Sequence, residues 1–569
     1  MTESDVIIIG SGLAGGMLGA ILARRGLSVT MLEASAHPRF AIGESVVPEF
    51  GARARIMADL FEVPELAHLS TFSDVIHHIS AASGIKRSFT FAWHADGEVH
   101  RGRHTTQFRT FPSPLGPDTH LYRSDVDNWM TSVAIRYGVQ YRERARVSDV
   151  GVDSDGVEVA AAGETFRGRF LVDGSGHRSV LAQKMGLRLD DPGTATDTRT
   201  IFNHFVGVGQ FAQSRPAADR LNAPSPVDQA TLHHLFDGGW FWVIPFDNHN
   251  SSVNPLCSVG LTLDRRRFPE TGRPAAEEFQ EFVDRLPSFA SQMRNAKPVR
   301  SWVSTPRLQY ASSPLAGDRW CLLPHSAGFI DALYSNGLTL ALVGVQSVAR
   351  SVLQSFAEDR FTVDRFAQLQ SEMQDNLRAA DQLVHGSLVC FRSFALFNAW
   401  FRFWAVSNFH GTAGLVSLHS RFQRTGDRAI LERVFEQPFR LPLAQDQPRV
   451  REMVDQGYRV IQRLDSGAIT EEQAVSDLFV LLRGQDWIPA QFRIGDPKCT
   501  ALSSFTAFPL MRLMSWGKRK APADMRELYY ATSPMYFWEL TKAIGREAWR
   551  GVVSCLKVAR DAHYSRGRS

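Results

Sequence analysis

Three glycines (Gly10, Gly12, Gly15), a carboxylate at Glu33 and a lysine at Lys86 are where this 569-residue chain could do chemistry. Glycines at that spacing let a backbone turn tightly and bring its N–H groups against a pyrophosphate, with a helix N-terminus facing the charge. Gly10 serves the turn, Gly12 the close approach beside Ala14, and Gly15 the packing of helix on strand. Glu33 stands about 20 residues beyond the glycines, where a carboxylate accepts hydrogen bonds from ribose hydroxyls and repels a 2′-phosphate. The ligand chemistry is that of FAD or NAD, not NADP. Lys86 is a nucleophile only if its amine is neutral. Its pKa near 10.4 must then fall by about three units, about 4 kcal/mol, and burial among Ile85, Phe89 and Phe91 is the means at hand. A lysine that stays charged instead donates a hydrogen bond and needs no shift.

These residues need elements to hold them. Residues 5–9 read as a buried parallel strand, 17–25 as a helix, and 28–32 as a second strand ending at Glu33, which makes a complete βαβ unit. No second Gly-x-Gly-x-x-Gly unit follows, so a further NAD(P)H site of the two-nucleotide type is not supported. Residues 83–94 read as a strand on which Lys86, Ser88 and Thr90 share one face. Phe397, Trp400, Phe401 and Trp404 fall at i, i+3, i+4 and i+7 on one face of a helix, ordinarily a core stripe.

Composition limits the alternatives. Apolar residues make up 44% and charged residues 21%, as in a globular protein of more than one substructure. A formal charge of +4 is small for this length and speaks against nucleic acid as the main partner. The five cysteines (Cys257, Cys321, Cys390, Cys499, Cys555) are odd in number and far apart, giving neither a disulfide framework nor metal-ligand spacing, which suits a reducing cytoplasm. No basic-then-apolar leader pattern is seen. The longest apolar candidate, residues 338–349, contains Gln346 and is shorter than the roughly 18 residues of a membrane span.

Further motifs narrow the reading. Trp240-Phe-Trp242-Val-Ile244-Pro245, after Gly238-Gly239, reads by itself as an aromatic strand stopped by proline. Gly43-Glu44-Ser45-Val-Val-Pro48, Leu121-Tyr-Arg123, Asp173-Gly174-Ser-Gly176, the lysine-bearing run 83–94, and the stretch from Asp318 through Gly328-Phe-Ile-Asp331-Ala-Leu-Tyr334-Ser335-Asn336-Gly337 accompany it. With these the chain resembles the flavin-dependent halogenases over about residues 1–420. It is most similar to their phenolic group, which includes the halogenases of pyoluteorin and chloramphenicol biosynthesis.

The resemblance implies an α/β fold: a Rossmann-like FAD-binding domain of the flavin monooxygenase type, a mixed-sheet substrate subdomain and a mainly helical C-terminal region. The expected divisions are a core at 1–350, with sheet segments about 75–115 and 195–310, a helical pocket region at 351–440, and a helical extension at 441–569. In that extension, residues 442–448 read as a linker and 471–482 as a capped amphipathic helix, and the family match weakens from about 440. The tail is basic at Lys518-Arg519-Lys520, an ordinary solvated face or a surface for an acidic carrier protein.

The implied cofactor is FAD, supplied as FADH2 by a separate flavin reductase, with chloride or bromide and O2 as co-substrates. Gly10, Gly12, Ala14, Gly15, Glu33, Gly43, Glu44, Ser45, Arg123 and Asp318 are the implied cofactor contacts, and Ser335, Asn336 and Gly337 the halide contacts. The resemblance further implies that a flavin C4a-hydroperoxide is attacked by halide, that hypohalous acid travels to Lys86, and that Trp240, Trp242, Ile244 and Pro245 shield the flavin from the organic substrate. Tryptophan halogenases carry a catalytic glutamate where this chain has Tyr334, and phenolic halogenases lack it. The acceptor expected is therefore a small electron-rich phenol, free or carrier-protein-bound. An aromatic hydroxylase and a non-catalytic flavoprotein are the competing readings.

Overall fold

The computed structural model describes residues 2–111, 115–216, 219–436, 447–502 and 507–529. Val6, Ile7, Ile8 and Ile9 form an unbroken apolar run almost free of solvent, as a strand covered on both faces requires. Accordingly Thr2–Ile9 lies inside a parallel sheet, with Val29–Leu32 and then Gln140–Arg142 on one side, and Glu164–Asp173 and then Trp320–Leu322 on the other. Helix Leu13–Arg24 joins the first two strands. Because the chain goes first to one side of Thr2–Ile9 and later to the other, a crevice opens at the carboxyl ends of these strands, where such sheets bind ligands.

A second, mixed sheet of nine strands carries both of the expected sheet segments. Its order runs Lys297–Pro298, Thr198–Val206, Cys257–Asp264, Gly239–Pro245, Ala230–Phe236, Ser88–Trp93, Thr105–Arg109 and Ala501–Leu502, with Val303–Thr305 paired to Thr198–Val206. Strand alternation gives the sheet two different faces. Trp240, Trp242 and Ile244 join the main core shared with the parallel sheet, whereas Phe241 and Val243 point the other way, against Phe279, Phe282 and Phe289 of helices Ala275–Asp284 and Pro287–Met293.

Three long helices complete the core: Gly337–Ala357, Ala367–Cys390 and Phe394–Thr425. By length and composition alone Gly337–Glu358 would pass for a membrane span; here it packs on helices Leu13–Arg24 and Pro48–Phe61. Helix Glu471–Arg483 is capped as expected, by a reciprocal Thr470–Gln473 box.

The expected divisions need correction. A boundary at 350 cuts helix Gly337–Ala357, and Ala501–Leu502 adds a parallel strand to the edge at Gln107 and Phe108, so the extension is built into the substrate sheet. Most of the linker expected at 442–448 and the tail from 530 onward lie outside the described residues.

The tightest seam in the second sheet is Gly260, where a Cβ would meet the Trp242 ring at 2.1 Å and Phe202 Cβ at 2.6 Å. Gly260→Ala should push Trp242 out of place at a cost of about 1–3 kcal/mol. Thermal unfolding beside wild type measures it, and an unchanged Tm would show that the indole relaxes freely.

Candidate active site

The loop after the first strand has the shape of a dinucleotide cradle. Gly10 has φ +95°, and a Cβ there would lie 2.6 Å from Gly174 O, in the returning turn; one at Gly15 would lie 2.0 Å from Gly10 O. Only glycine fits either position. Above Gly12 there is room, the nearest atoms to an added Cβ being Arg39 Nη2 at 3.6 Å and Asp127 Oδ2 at 3.9 Å. Ala14 follows in the first turn of the helix. Glu33 accepts from Ser11 N, Ser11 Oγ, Ser35 N and Arg39 at 2.9–3.1 Å. Burial pushes its carboxyl up, but Arg39 and the N–H donors of Ser35 and Ser11 outweigh that and hold it below the usual range.

Arg123 opens helix Arg123–Arg136, grips Asp127 through two bonds of 2.8 and 3.0 Å, and donates to the carbonyls of Ile42 and Gly43. It thereby fixes the segment carrying Glu44 and Ser45. Glu44 Oε1 accepts from His204 at 2.7 Å, while its buried Oε2 has no partner among the described residues and is left over for a ligand N–H. Open space at Gly12 beside a guanidinium, and an unpaired buried acceptor at Glu44, fit a dinucleotide.

Lys86 is wholly buried. Its strand, Gly84–Lys86, pairs with Asp118–His120, and Asn248 binds the Ile85 N–H and carbonyl on the other edge. Gly84 runs so close to Pro245 that a Cβ would lie 2.3 Å from Pro245 O. The expected continuous strand breaks at Arg87, and the sharing of faces changes with it: Ser88 and Thr90 pair with each other, whereas the Lys86 amine lies 3.3 Å above the centre of the Phe89 ring. Nζ donates to Ser45 Oγ at 2.8 Å and Val46 O at 2.6 Å.

Burial pushes the Lys86 pKa well below that of a free lysine, against the attraction of Asp118. Asp118, opposite it in register, is pushed up to about 8 by burial, against the pull of Lys86, and its Oδ2 has no partner among the described residues. Desolvation defeats the mutual attraction on both sides, so the pair tends to neutrality instead of forming an ion pair.

Ser335, the first expected halide contact, donates to Ser45 at 3.1 Å and has φ +56°. No side chain caps the helix that starts at Gly337 behind Asn336, and Leu340 is the first N–H to turn back, onto Asn336 O. Free N–H groups at that end favour an anion. Tyr334 is turned away: its hydroxyl meets Ser387 at 2.6 Å, burial raises its pKa, and its ring stacks on Trp404 at 4.8 Å. Phe397 and Phe401 close on Phe91, and Trp404 on Phe89. Trp400 does not share that face as expected; its indole donates to Leu383 O.

Comparison with known proteins decides the family. The tryptophan halogenase family model matches residues 90–385 and the FAD binding domain model residues 3–42. Tetracycline 7-halogenase of Kitasatospora aureofaciens is 38% identical over 93% of this chain and 95% of its own. Monodechloroaminopyrrolnitrin halogenase PrnC of Pseudomonas fluorescens is 36% identical over 94% of each. The chain belongs to the flavin-dependent halogenases. The crystal structure of halogenase PltM with phloroglucinol and FAD superposes on this halogenase with a TM-score of 0.83 and 31% identity, covering 88% of this chain and 99% of that one. FAD is its cofactor, and halide and O2 are its co-substrates. The likeness to relatives runs well past 440, further than the motifs alone indicate.

One expected cofactor contact of this halogenase is misplaced. Asp318 precedes strand Trp320–Leu322 at the end away from the crevice, and its carboxylate accepts from Val363 N. At about 3.3 Å per residue, the three-residue strand holds it roughly 10 Å from the carboxyl edge. It ties the strand to the helical region instead. Sequence reasoning missed Arg39 beside Gly12, His204 on Glu44, and Asp118, His120 and Thr231 around Lys86. Only register across strands brings the last three to the lysine, so no local pattern marks them.

Asp118 gives this halogenase a testable pH signature. Folded, it keeps its proton up to about pH 8; unfolded, it loses it near 3.8, so its contribution to stability is full at low pH and drains away as pH rises through that window. Asp118→Asn should make the slope of Tm against pH between those two limits more positive, because the opposing contribution of Lys86, whose pKa burial lowers, is left in place. An unchanged slope would mean that Asp118 is already ionised in the fold.

Proposed function

We propose that this halogenase chlorinates or brominates a small electron-rich phenol in natural-product biosynthesis, and that Lys86 passes the halogen to it. The observation that carries the reading is the hydrogen bonding of Lys86. A neutral amine has two N–H bonds and one lone pair, and two acceptors, Ser45 Oγ and Val46 O, take both hydrogens. The lone pair is left for an electrophile.

Gly10, Gly12, Ala14, Gly15, Glu33 and Arg39 would hold the nucleotide, and Gly43, Glu44 and Ser45, set by Arg123, the flavin end. Reduced FAD, when bound, supplies with oxygen the two-electron oxidation that turns halide into hypohalous acid. The uncapped turn Ser335-Asn336-Gly337 would hold the halide, and Trp240, Trp242, Ile244 and Pro245 form the wall that keeps organic substrate back. At Lys86 the amine attacks the halogen, the N–X bond forms as the O–X bond breaks, and the departing hydroxide takes an N–H proton to leave as water. The haloamine then gives its halogen to the ring: the C–X bond forms as the N–X bond breaks, and the proton the ring loses replaces the halogen on nitrogen. Asp118, unpaired at Oδ2 among the described residues and holding its proton up to about pH 8, is the group best placed to give a proton there.

An aromatic acceptor suits walls made of Phe89, Phe91, Phe397, Phe401 and Trp404. A phenol suits Tyr334 in place of a glutamate, and phloroglucinol is the ligand of the PltM complex. Tetracycline 7-halogenase and monodechloroaminopyrrolnitrin halogenase are named for small molecules, so a free acceptor is preferred to a carrier-bound one. FADH2 would come from a separate flavin reductase. The four described cysteines are free thiols, in keeping with a reducing cytoplasm.

Mass spectrometry of products tests this, with protein, FAD, a flavin reductase and NADH, oxygen, chloride or bromide, and a panel of phenols and amino-aromatics. Halogen isotope pairs are expected, reduced by more than about a hundredfold in Lys86→Gln while FAD content is retained. Oxygen addition indifferent to halide and to Lys86 would replace the proposal with a hydroxylase.

A further inference from the structure

A buried chain of hydrogen bonds leads away from Lys86. Its amine donates to Ser45 Oγ, which lies 2.7 Å from Thr231 Oγ1; that oxygen lies 3.0 Å from His120 Nε2, and His120 Nδ1 lies 3.0 Å from Pro245 O. Lys86, His120 and Thr231 are at most 1% exposed, and Ser45 is 7% exposed, so water does not compete.

The chain has only one consistent direction. Pro245 O can only accept, so His120 carries its proton on Nδ1. Burial pushes the His120 pKa down to about 3, so the ring is neutral and Nε2 must accept from Thr231. Thr231 has then spent its one proton and accepts from Ser45. Ser45 in turn has spent its own, and both its lone pairs accept, one from Lys86 and one from Ser335. The second hydrogen of the amine goes to Val46 O. With two corners of the tetrahedral nitrogen fixed, the third is fixed too.

We propose that His120 and Thr231 are positioning residues for Lys86: anchored on the carbonyl of Pro245, they compel Ser45 to accept from the amine and so fix where its lone pair points. This rests on the reading of Lys86 as the amine that receives the halogen. Without Thr231, the Ser45 hydroxyl is free to rotate and donate its proton to the lysine nitrogen, which occupies the lone pair that must attack. Pro245 thus links the Trp-x-Trp-x-Ile-Pro wall to the reacting amine through three side chains, His120, Thr231 and Ser45.

The test uses FAD-loaded protein that oxidises FADH2 in chloride, and in bromide, without an aromatic acceptor. After desalting, oxidising equivalents retained on the protein are titrated with iodide, beside FAD content and Tm. Thr231→Val keeps the shape and removes the hydroxyl; Thr231→Ser restores the hydroxyl; Lys86→Gln removes the amine. The expected result is about a tenfold loss of retained equivalents in Thr231→Val, with as much hypohalite captured by taurine in the buffer, and recovery in Thr231→Ser. Wild-type retention in Thr231→Val, with loss in Lys86→Gln, would overturn the relay and leave the role of Lys86 intact. Equal losses in Thr231→Val and Thr231→Ser would also overturn it, as a packing effect. Lys86→Gln indistinguishable from wild type would overturn the reading of Lys86 itself.

Discussion

Keeping a lysine amine wholly out of water is the constraint around which this halogenase is arranged. An ammonium buried beside an aromatic ring needs either a carboxylate in contact or a full set of acceptors, and among the described residues Lys86 has neither. Asp118 is near enough to tempt an ion pair, yet burial acts on both groups in the neutral direction. The strand Gly84–Lys86 is short and pinned on both edges, so the nitrogen cannot swing out to solvent to recover its proton.

The mixed sheet sets up the two sides of the reaction. Its central strand turns Trp240 and Trp242 into the core shared with the parallel sheet, and the strand Ser88–Trp93, two places along, turns Phe89 and Phe91 toward the aromatic face of helix Phe394–Thr425. His233, between them in sequence of strands, stacks on Phe91 at 4.4 Å and lies 5.5 Å from Trp240, so one continuous aromatic layer joins the wall to the surroundings of the lysine. Ser45 sits where three assignments meet, next to Glu44, bonded to Ser335 and bonded to Lys86.

Much of this was legible in the sequence, and the exceptions have physical causes. The βαβ unit announces itself through an apolar run, spaced glycines and a terminal carboxylate, all local features. Lys86 could be picked out from its neighbours, but its environment could not: Asp118 and His120 come from a strand some thirty residues on, and Thr231 from a third segment, joined only by register. Period-two reasoning put Lys86 with Ser88 and Thr90 because nothing in the residue pattern marks the break at Arg87. Asp318 shares a run with the halide turn, but a strand lies between them and carries it to the other end of the sheet. Trp400 fits the helical stripe by spacing, yet the neighbouring helix offers Leu383 O and draws the indole aside.

The two-residue strand Ala501–Leu502 closes the edge of the sheet that carries the Lys86-side hairpin, and Thr106 Oγ1 and Gln107 N both bond Thr500 O beside it. An uncovered strand edge invites pairing with another chain. The segment at residues 500–502 is therefore a shutter on the substrate sheet, and swapping the region that contains it among relatives as a separate module would mean exchanging a strand of that sheet as well.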